Sequence, residues 1–176
     1  MCFRRAMISG SSTGANLRTN SSRVGIDMGR YSSTMPGKAS LQAGQYYAHG
    51  RNTFWKLMAA ILGFDASLPY DGRLSAVVAA QIAVWDVLKL CTRETSLDSD
   101  IGDPVPNEFA DFFKLHPQID RVCFNGAEAE NRYNTHVRGV VVASVEYRRL
   151  PSTSPANASV SYTEKLAAWT AGLKRQ

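Results

Sequence analysis

The clearest pattern in the chain is a helical repeat of apolar side chains that begins just after Asn52. The apolar positions that share one helical face are Phe54, Trp55, Met58, Ile61 and Leu62. Gly63 follows them and predicts the end of the helix, because glycine readily adopts the left-handed conformation found at helix ends. The repeat therefore predicts an amphipathic helix between Asn52 and Gly63.

Further along the chain, apolar segments of strand length alternate with segments of helical period. Asp71 is placed to cap a second helix, and Pro106 with Asn107 is placed to open another. Ser161 and Glu164 form an S-x-x-E capping box before a final helix. The remaining segments read as strands at 81–88, 119–124 and 140–147, and as a helix at 127–133. This alternation predicts an α/β fold, a three-layer α/β/α sandwich with a short central parallel sheet.

Composition limits the classes of protein that fit. A chain of 176 residues suits one domain with one good core. No apolar run reaches the roughly 18 residues that a membrane helix needs. Cys2, Cys91 and Cys123 are isolated and odd in number, which argues against a disulfide framework, a zinc site or an iron–sulfur cluster. We therefore expect a reduced, cytoplasmic setting.

The net charge of +5 is concentrated near the amino terminus. Residues 1–30 contain five arginines and one aspartate, a balance of +4, which leaves +1 for residues 31–176. Charge alone is thus weak support for a nucleic-acid partner. Residues 1–30 are also rich in Ser and Asn, and we expect a divergent or disordered leader, with a misplaced start or altered reading frame as one explanation and a transit peptide as a weaker one.

Two polar, turn-rich loops bracket the α/β pattern. The first runs from Thr34 to Trp55, and we call it the aromatic loop; the second runs from Leu150 to Ser159, and we call it the Ser/Pro loop. Loops of this kind converge at one end of a parallel sheet, where such folds place their sites. The two loops are therefore the predicted functional site.

These loops carry a resemblance to the uracil-DNA glycosylase superfamily, and most closely to its DNA-deoxyinosine (hypoxanthine) glycosylase branch. The matching segments, which run in family order over roughly residues 34–170, are STMPG at 33–37, QYYAHGRNTFW at 45–55, DPVPNEFADFF at 103–113, VCFNGAEAE at 122–130 and LPSTSPANAS at 150–159. The resemblance implies a glycosylase-like domain over residues 31–176. It also implies a repair enzyme that flips a deaminated base from the duplex and hydrolyses its N-glycosidic bond.

The resemblance also implies roles for residues of the aromatic loop. Asn52 matches the catalytic amide of the branch, although from spacing alone an Asn at the start of a helix is more often an N-cap. Tyr47 matches the aromatic on which the flipped base stacks. The turn of Met35, Pro36 and Gly37 would present backbone groups to that base. The resemblance assigns no role to His49, which we expect to contact phosphate or to brace the loop.

In the Ser/Pro loop, Ser152, Thr153, Ser154 and Pro155 are the predicted DNA contacts, since hydroxyls and loop amides suit phosphate. Leu150 occupies the position where many superfamily members carry His or Asn, so no electrophilic side chain is assigned there. No lysine appears in the motif segments at 33–37, 45–55 and 150–159 as an obvious amine nucleophile, which favours direct attack by water without strand cleavage, and the resemblance implies neither metal nor cofactor. We expect a monomer acting on double-stranded DNA with a deaminated base, hypoxanthine first and uracil or xanthine as variants.

Two departures from the branch bear on activity. The residues before the STMPG turn, 27–32, cannot make the buried first strand that relatives have, so that strand is expected to be degraded, with a shortened version further upstream at best. Gly50 stands where relatives usually have Pro, which loosens the loop that holds Asn52. These departures keep one alternative open: a catalytically impaired relative that binds damaged or mismatched DNA without excision.

Overall fold

The computed structural model describes residues 2–5, 38–93, 101–137, 139 and 144–174. The helices and strands in chain order are β1 (Cys2–Arg5), α1 (Lys38–Ala43), α2 (Phe54–Leu62), α3 (Tyr70–Ala79), β2 (Ile82–Val84), β3 (Leu88–Arg93), β4 (Ile101–Pro106), α4 (Phe109–Leu115), β5 (Ile119–Asn125), α5 (Ala127–His136), β6 (Glu146–Leu150) and α6 (Tyr162–Leu173).

Four of the strands form one sheet in the order β2-β1-β5-β6. Strands β5 and β6 are parallel, and β1 is antiparallel to both of its neighbours, β2 and β5. Strand β2 therefore runs in the same direction as β5 and β6, and the carboxyl ends of these three strands lie at one edge. Strands β3 and β4 form a separate antiparallel pair.

Two apolar cores cover the two faces of this sheet, and β5 contributes to both. Val122 and Phe124 pack into the core under α4 and α5, whereas Cys123 packs into the core under α2, α3 and α6. All three side chains are buried, because successive residues of a strand point to opposite faces and both faces are covered. The predicted three-layer α/β/α arrangement is confirmed.

The predicted helices are largely present, with shifted starts. Helix α2 ends at Gly63, which has a φ of 76° as the C-cap. Asp71 is not a cap: Pro69 precedes α3, and Asp71 lies in its first turn. Helix α4 begins later than predicted, because Pro106 is the last residue of β4, and the amide of Asn107 donates to the carbonyl of Val87.

The first strand differs from the expectation. Residues 1–30 were expected to lie outside the domain, yet Cys2–Arg5 pairs with β2 on one side and β5 on the other. Pairing in a sheet needs only backbone N–H and C=O groups, which any non-proline segment supplies. The weak alternation at 24–28 and the turn at 35–37 lie outside the described residues.

Helix α6 is tied to the sheet by a buried arginine. Nη1 of Arg121, on β5, donates to the carbonyls of Gly172 (2.9 Å) and Lys174 (2.7 Å). Nε of Arg121 pairs with Glu146 on β6 at 2.8 Å. Hydrogen bonds from Arg148 first, and then from Arg121, lower the pKa of the Glu146 carboxyl. The carboxyl end of α6 is therefore held by two strands.

The predicted capping box at the other end of α6 is present. The Glu164 amide donates to Oγ of Ser161 at 3.2 Å, and the Ser161 amide donates to the Glu164 carboxylate at 2.9 Å. The Ser161 hydroxyl also donates to the Glu164 carboxylate at 2.7 Å, and this bond first, then the bond from the Ser161 amide, lowers the pKa of the Glu164 carboxyl. Within the described ranges, no helix has the length and apolar character needed to cross a membrane.

We predict that Ser161→Ala lowers the free energy of unfolding by about 1 kcal/mol, since an N-cap hydroxyl is lost. The measurement is urea unfolding at neutral pH. Thr163→Ala, also exposed on α6, is the control and should not destabilise the protein. The effect of Ser161→Ala should shrink as the pH falls through the folded-state pKa of Glu164, because a lowered pKa stabilises the fold only while the carboxyl is ionised. An equal loss from Thr163→Ala would contradict the assignment.

Candidate active site at the carboxyl edge of the sheet

The Ser/Pro loop leaves the sheet beside the end of β5. Asn125 is the register partner of Leu150, and the amide of Gly126 donates to the Leu150 carbonyl at 3.0 Å. Gly126 has a φ of 98°, and a Cβ added there would lie 2.9 Å from Cβ of Ser152. The strand end and the loop therefore approach so closely that only glycine fits.

Short hydrogen bonds fix the shape of the Ser/Pro loop. Oγ of Ser152 accepts from the Ser154 amide, and Oγ of Ser154 accepts from the Ala156 amide, each at 3.2 Å. The side-chain amide of Asn157 donates to the Ser152 carbonyl at 3.1 Å. Ser152, Ser154 and Pro155 are each half-buried. Both predicted serines therefore shape the loop as hydrogen-bond acceptors, and each still has a hydroxyl proton to donate.

Helix α6 anchors this loop at two points. Nε1 of Trp169 donates to the Pro151 carbonyl at 2.9 Å, and Nζ of Lys165 donates to the Asn157 carbonyl at 2.8 Å. Both side chains are buried, with exposed fractions of 0% for Trp169 and 4% for Lys165. The helix therefore holds the loop from beneath.

A reciprocal pair of hydrogen bonds joins Thr153 to Asn125. Nδ2 of Asn125 donates to Oγ1 of Thr153, and Oδ1 of Asn125 accepts from the Thr153 amide, each at 2.8 Å. Thr153 has no exposed surface. Its predicted contact with DNA is therefore corrected: in this conformation its side chain faces the interior and supports the loop.

The aromatic loop meets the Ser/Pro loop at the carbonyl of Thr153. This oxygen accepts from the amide of Thr53 at 3.1 Å and from the hydroxyl of Thr53 at 3.3 Å. Thr53 is the N-cap residue of α2, yet its side chain makes no cap hydrogen bond. Its hydroxyl is directed to the second loop instead.

Asn52 takes over the capping of α2. Its Oδ1 accepts from the amide of Phe54, the first residue of the helix, at 2.9 Å. Nδ2 of Asn52 has no hydrogen-bond partner in the part of the chain that the structure describes, and the side chain is half-buried. Asn52 can therefore cap the helix and still take part in chemistry. One lone pair of Oδ1 accepts from the Phe54 amide, while Nδ2 and the second lone pair of Oδ1 remain for a substrate or a water.

A tight turn presents Asn52. The Asn52 amide donates to the His49 carbonyl at 2.8 Å, and the Arg51 amide donates to Nδ1 of His49 at 3.2 Å. His49 is exposed, so Nε2 faces outward while Nδ1 braces the turn. Arg51 does not have a positive φ, which excludes a type II turn.

Tyr47 lies beneath this turn in the core. Its ring stacks on Phe54 with the ring centroids 4.0 Å apart, and 5% of the residue is exposed. One face of the ring is thus already covered, and base stacking by Tyr47 stays a prediction. The predicted turn of Met35, Pro36 and Gly37 lies outside the described residues.

The aromatic loop is held by a cluster of aromatic residues that the sequence did not predict, namely Tyr46, Trp55 and Tyr70. Nε1 of Trp55 donates to the Tyr46 carbonyl at 2.8 Å, and the Tyr46 amide donates to the Tyr70 hydroxyl at 3.0 Å. The Arg73 guanidinium lies 4.7 Å from the centre of the Trp55 ring. Burial, and secondly the nearby Asp86 carboxylate, raises the pKa of the Tyr46 hydroxyl far above its ordinary value. Tyr46 therefore stays uncharged at any physiological pH.

Comparison with known proteins places the chain in a family. No protein-family model matches it. A hypoxanthine DNA glycosylase from Methanosarcina barkeri is 34% identical over 143 residues, which cover 81% of this chain and 87% of the relative. A second hypoxanthine DNA glycosylase, from Methanosarcina acetivorans, is 34% identical over 125 residues, covering 70% and 77% of the two chains.

A solved structure shares the fold. The solution NMR structure of a uracil DNA glycosylase-like protein from Methanosarcina acetivorans superposes with a TM-score of 0.68 at 33% identity, covering 81% of this chain and 86% of the other. The fold is thus that of the uracil-DNA glycosylase superfamily, and the chain is an enzyme acting on N-glycosyl bonds. Within it, the chain belongs to the hypoxanthine DNA glycosylase family.

Sequence reasoning missed the residues that join the two loops. The sequence pattern singled out neither residue: Asn125 lies within the matching segment at 122–130, and Thr53 within the one at 45–55. Asn125 did carry a signal, because a polar side chain at the carboxyl end of a buried strand in an α/β sheet points to a site. Thr53 carried none, since its partner lies 100 residues away.

We predict that Gly126→Ala lowers the free energy of unfolding by about 1–3 kcal/mol, because a non-glycine residue is strained at this φ and its Cβ would press on Ser152. Urea unfolding measures the change. Gly72→Ala is the matched control, since a Cβ at Gly72 would make only ordinary contact, 3.5 Å from Leu68, inside a helix. It should leave stability unchanged or raise it. Equal stability of Gly126→Ala and wild type would refute the close approach.

Proposed function

We propose that this protein is a monofunctional DNA glycosylase that flips hypoxanthine out of double-stranded DNA and hydrolyses its N-glycosidic bond, acting as a monomer in the cytoplasm. The observation that carries the proposal is the carboxamide of Asn52, held at the carboxyl edge of the sheet with its donor side open and its neighbour Thr53 bonded to the Ser/Pro loop. The names of the relatives support the same substrate.

The Ser/Pro loop suits contact with the DNA backbone. Ser152 and Ser154 each have a hydroxyl proton to donate to a phosphate oxygen, and Pro155 stiffens the loop between them and Ala156. The loop is already fixed by its own hydrogen bonds and by α6, so little conformational entropy is lost on binding. His49, exposed on the neighbouring turn, is our second candidate for a phosphate contact.

The base would be received on the aromatic loop. Flipping costs a few kcal/mol, and the cost is least for a mispaired base such as hypoxanthine. In our proposal the turn of Met35, Pro36 and Gly37 meets the base through backbone groups, and Tyr47 is the aromatic residue on which the base stacks. Backbone contacts of this kind would also accommodate uracil or xanthine.

Asn52 would serve the chemical step. The second lone pair of Oδ1 can accept a proton of the attacking water and so orient it toward C1′. The Nδ2 donor can meet negative charge that develops on the departing purine. Leu150 is buried in the core and offers no such donor, so this charge falls to Asn52 and to backbone amides. Neither the turn at 49–52 nor the Ser/Pro loop contains a lysine, which favours hydrolysis over a covalent amine intermediate.

We predict that Asn52→Ala lowers the single-turnover rate of hypoxanthine release by at least about 100-fold, because a preorganised group at the reacting centre is lost. The assay uses end-labelled duplexes containing inosine, followed by alkali to cut at abasic sites. Asn131→Ala, an exposed asparagine on α5, is the control and should retain the wild-type rate.

Asn52→Asp separates chemistry from capping. An aspartate keeps the acceptor for the Phe54 amide but loses the Nδ2 donor, so stability should be retained while the rate falls. Wild-type rates in both Asn52→Asp and Asn52→Ala would show that Asn52 caps the helix and takes no part in the chemical step. Binding of inosine DNA by the wild type without any breaks would favour the alternative, a binder without excision.

We predict that Gly50→Pro stabilises the turn and raises the single-turnover rate by about two- to fivefold, because the unfolded loop loses freedom. Gly50 is the second residue of the turn closed by His49 and Asn52, a position that favours Pro. It has no positive φ, and space for a Cβ is open. Gly50→Ala is the control and should give a smaller gain. A lower rate in Gly50→Pro, with Gly50→Ala unchanged, would show that the loop needs its freedom.

A further inference from the structure

A continuous set of hydrogen bonds runs from the end of β5 to the start of α2. Asn125 holds Thr153 through both its donor and its acceptor. The Thr153 carbonyl then accepts two bonds from Thr53. Thr53 directly follows Asn52, whose own carboxamide is fixed on the Phe54 amide. Four residues from three separate parts of the chain are thus joined in series.

The reciprocal bonds to Asn125 define the orientation of Thr153. A single hydrogen bond would allow the peptide to swing, whereas a side-chain bond and a backbone bond to one carboxamide fix both the hydroxyl and the amide of Thr153. The Thr153 carbonyl lies in the next peptide plane, whose amide, that of Ser154, donates to Oγ of Ser152 at 3.2 Å, so the peptide planes on both sides of Thr153 are held. Asn125 itself belongs to a rigid, buried strand, with 7% of its surface exposed.

We propose that Asn125, acting through Thr153 and Thr53, is a positioning residue that sets the carboxamide of Asn52 relative to the Ser/Pro loop. The inference rests on the proposed glycosylase function. Excision requires the base-side group and the backbone-side loop to engage one nucleotide at the same time. A misplacement of about 1 Å can cost on the order of 100-fold in rate.

The burial of this set of bonds supports a dedicated role. A buried amide that lacks hydrogen-bond partners lowers stability, whereas an apolar residue of similar size needs no such partners. Asn125 and Thr153 nevertheless occupy the interior as a matched polar pair beside apolar residues of β5. The pair contributes geometry that apolar packing does not provide, namely a directed carbonyl at the junction of the two loops.

The test is a substitution that removes one hydroxyl and preserves shape. Thr153→Val leaves the Nδ2 donor of Asn125 without its partner, and we expect the single-turnover rate on inosine duplexes to fall by about 10- to 100-fold. Thr153→Ser keeps the hydroxyl and should remain within about threefold of wild type. Melting temperatures of both variants establish that the rates are compared in folded protein.

A double substitution tests whether Thr153 acts through Asn52. If it does, Thr153→Val changes the residual rate of Asn52→Ala by less than about threefold, because the group being positioned is already absent. A purely structural or DNA-binding role predicts the same fold loss in both backgrounds. Full additivity, or a wild-type rate in Thr153→Val, overturns the inference while leaving the glycosylase function standing.

Amide hydrogen exchange gives a readout that does not depend on activity. Thr153→Val and Asn125→Ala should each speed exchange of the Thr53 amide by at least about tenfold relative to wild type, because its acceptor is no longer fixed. The Lys165 amide, bonded within α6 to the Ser161 carbonyl, should be unchanged. Unchanged exchange at Thr53 overturns the proposed coupling. A wild-type protein that never releases hypoxanthine refutes the proposed function, and with it the catalytic part of this inference.

Discussion

The site depends on one acceptor, the carbonyl oxygen of Thr153. Two loops separated by 100 residues meet there, since the amide and the hydroxyl of Thr53 both donate to it. Neither loop has an apolar core of its own, so hydrogen bonds must define its shape. The contacts around this oxygen all fix its place: Asn125 orients the peptide, Trp169 and Lys165 hold the loop from α6, and Gly126 allows the close approach.

The fold brings these groups together through strand direction. Strands β2, β5 and β6 run the same way, so the residues that follow them emerge at one edge of the sheet. Strand β5 has covered faces on both sides, and its last residue, at the carboxyl edge of the sheet, is Asn125. Through the bonds from Asn125 to Thr153, the rigidity of the buried strand adds to the hydrogen bonds that the Ser/Pro loop makes within itself.

Local signals in the sequence predicted the local structure well. The repeat after Asn52, the stop at Gly63 and the capping box at Ser161 each depend on neighbours within four residues. The same signals could not find β1, because Cys2–Arg5 owes its place to backbone pairing with distant strands. The resemblance proposes Asn52 as the catalytic amide and its position predicts the cap that the structure shows, whereas the bond from Thr53 to the other loop is visible only in the structure. The role of Thr153 was misjudged because a threonine in a Ser/Pro turn gives no sign of its burial.

The three attachments of α6 have a consequence for shortened forms of this protein. The helix is capped at Ser161, bonded to the Ser/Pro loop through Trp169 and held at its last turn by Arg121. A chain ending before Trp169 would keep Asn52, its turn and α2, but its Ser/Pro loop would lose the hydrogen bond from Trp169 to the Pro151 carbonyl. Early termination or proteolysis near residue 160 would therefore leave the proposed catalytic amide beside a Ser/Pro loop that is no longer held in place for its proposed contact with the nucleic-acid backbone.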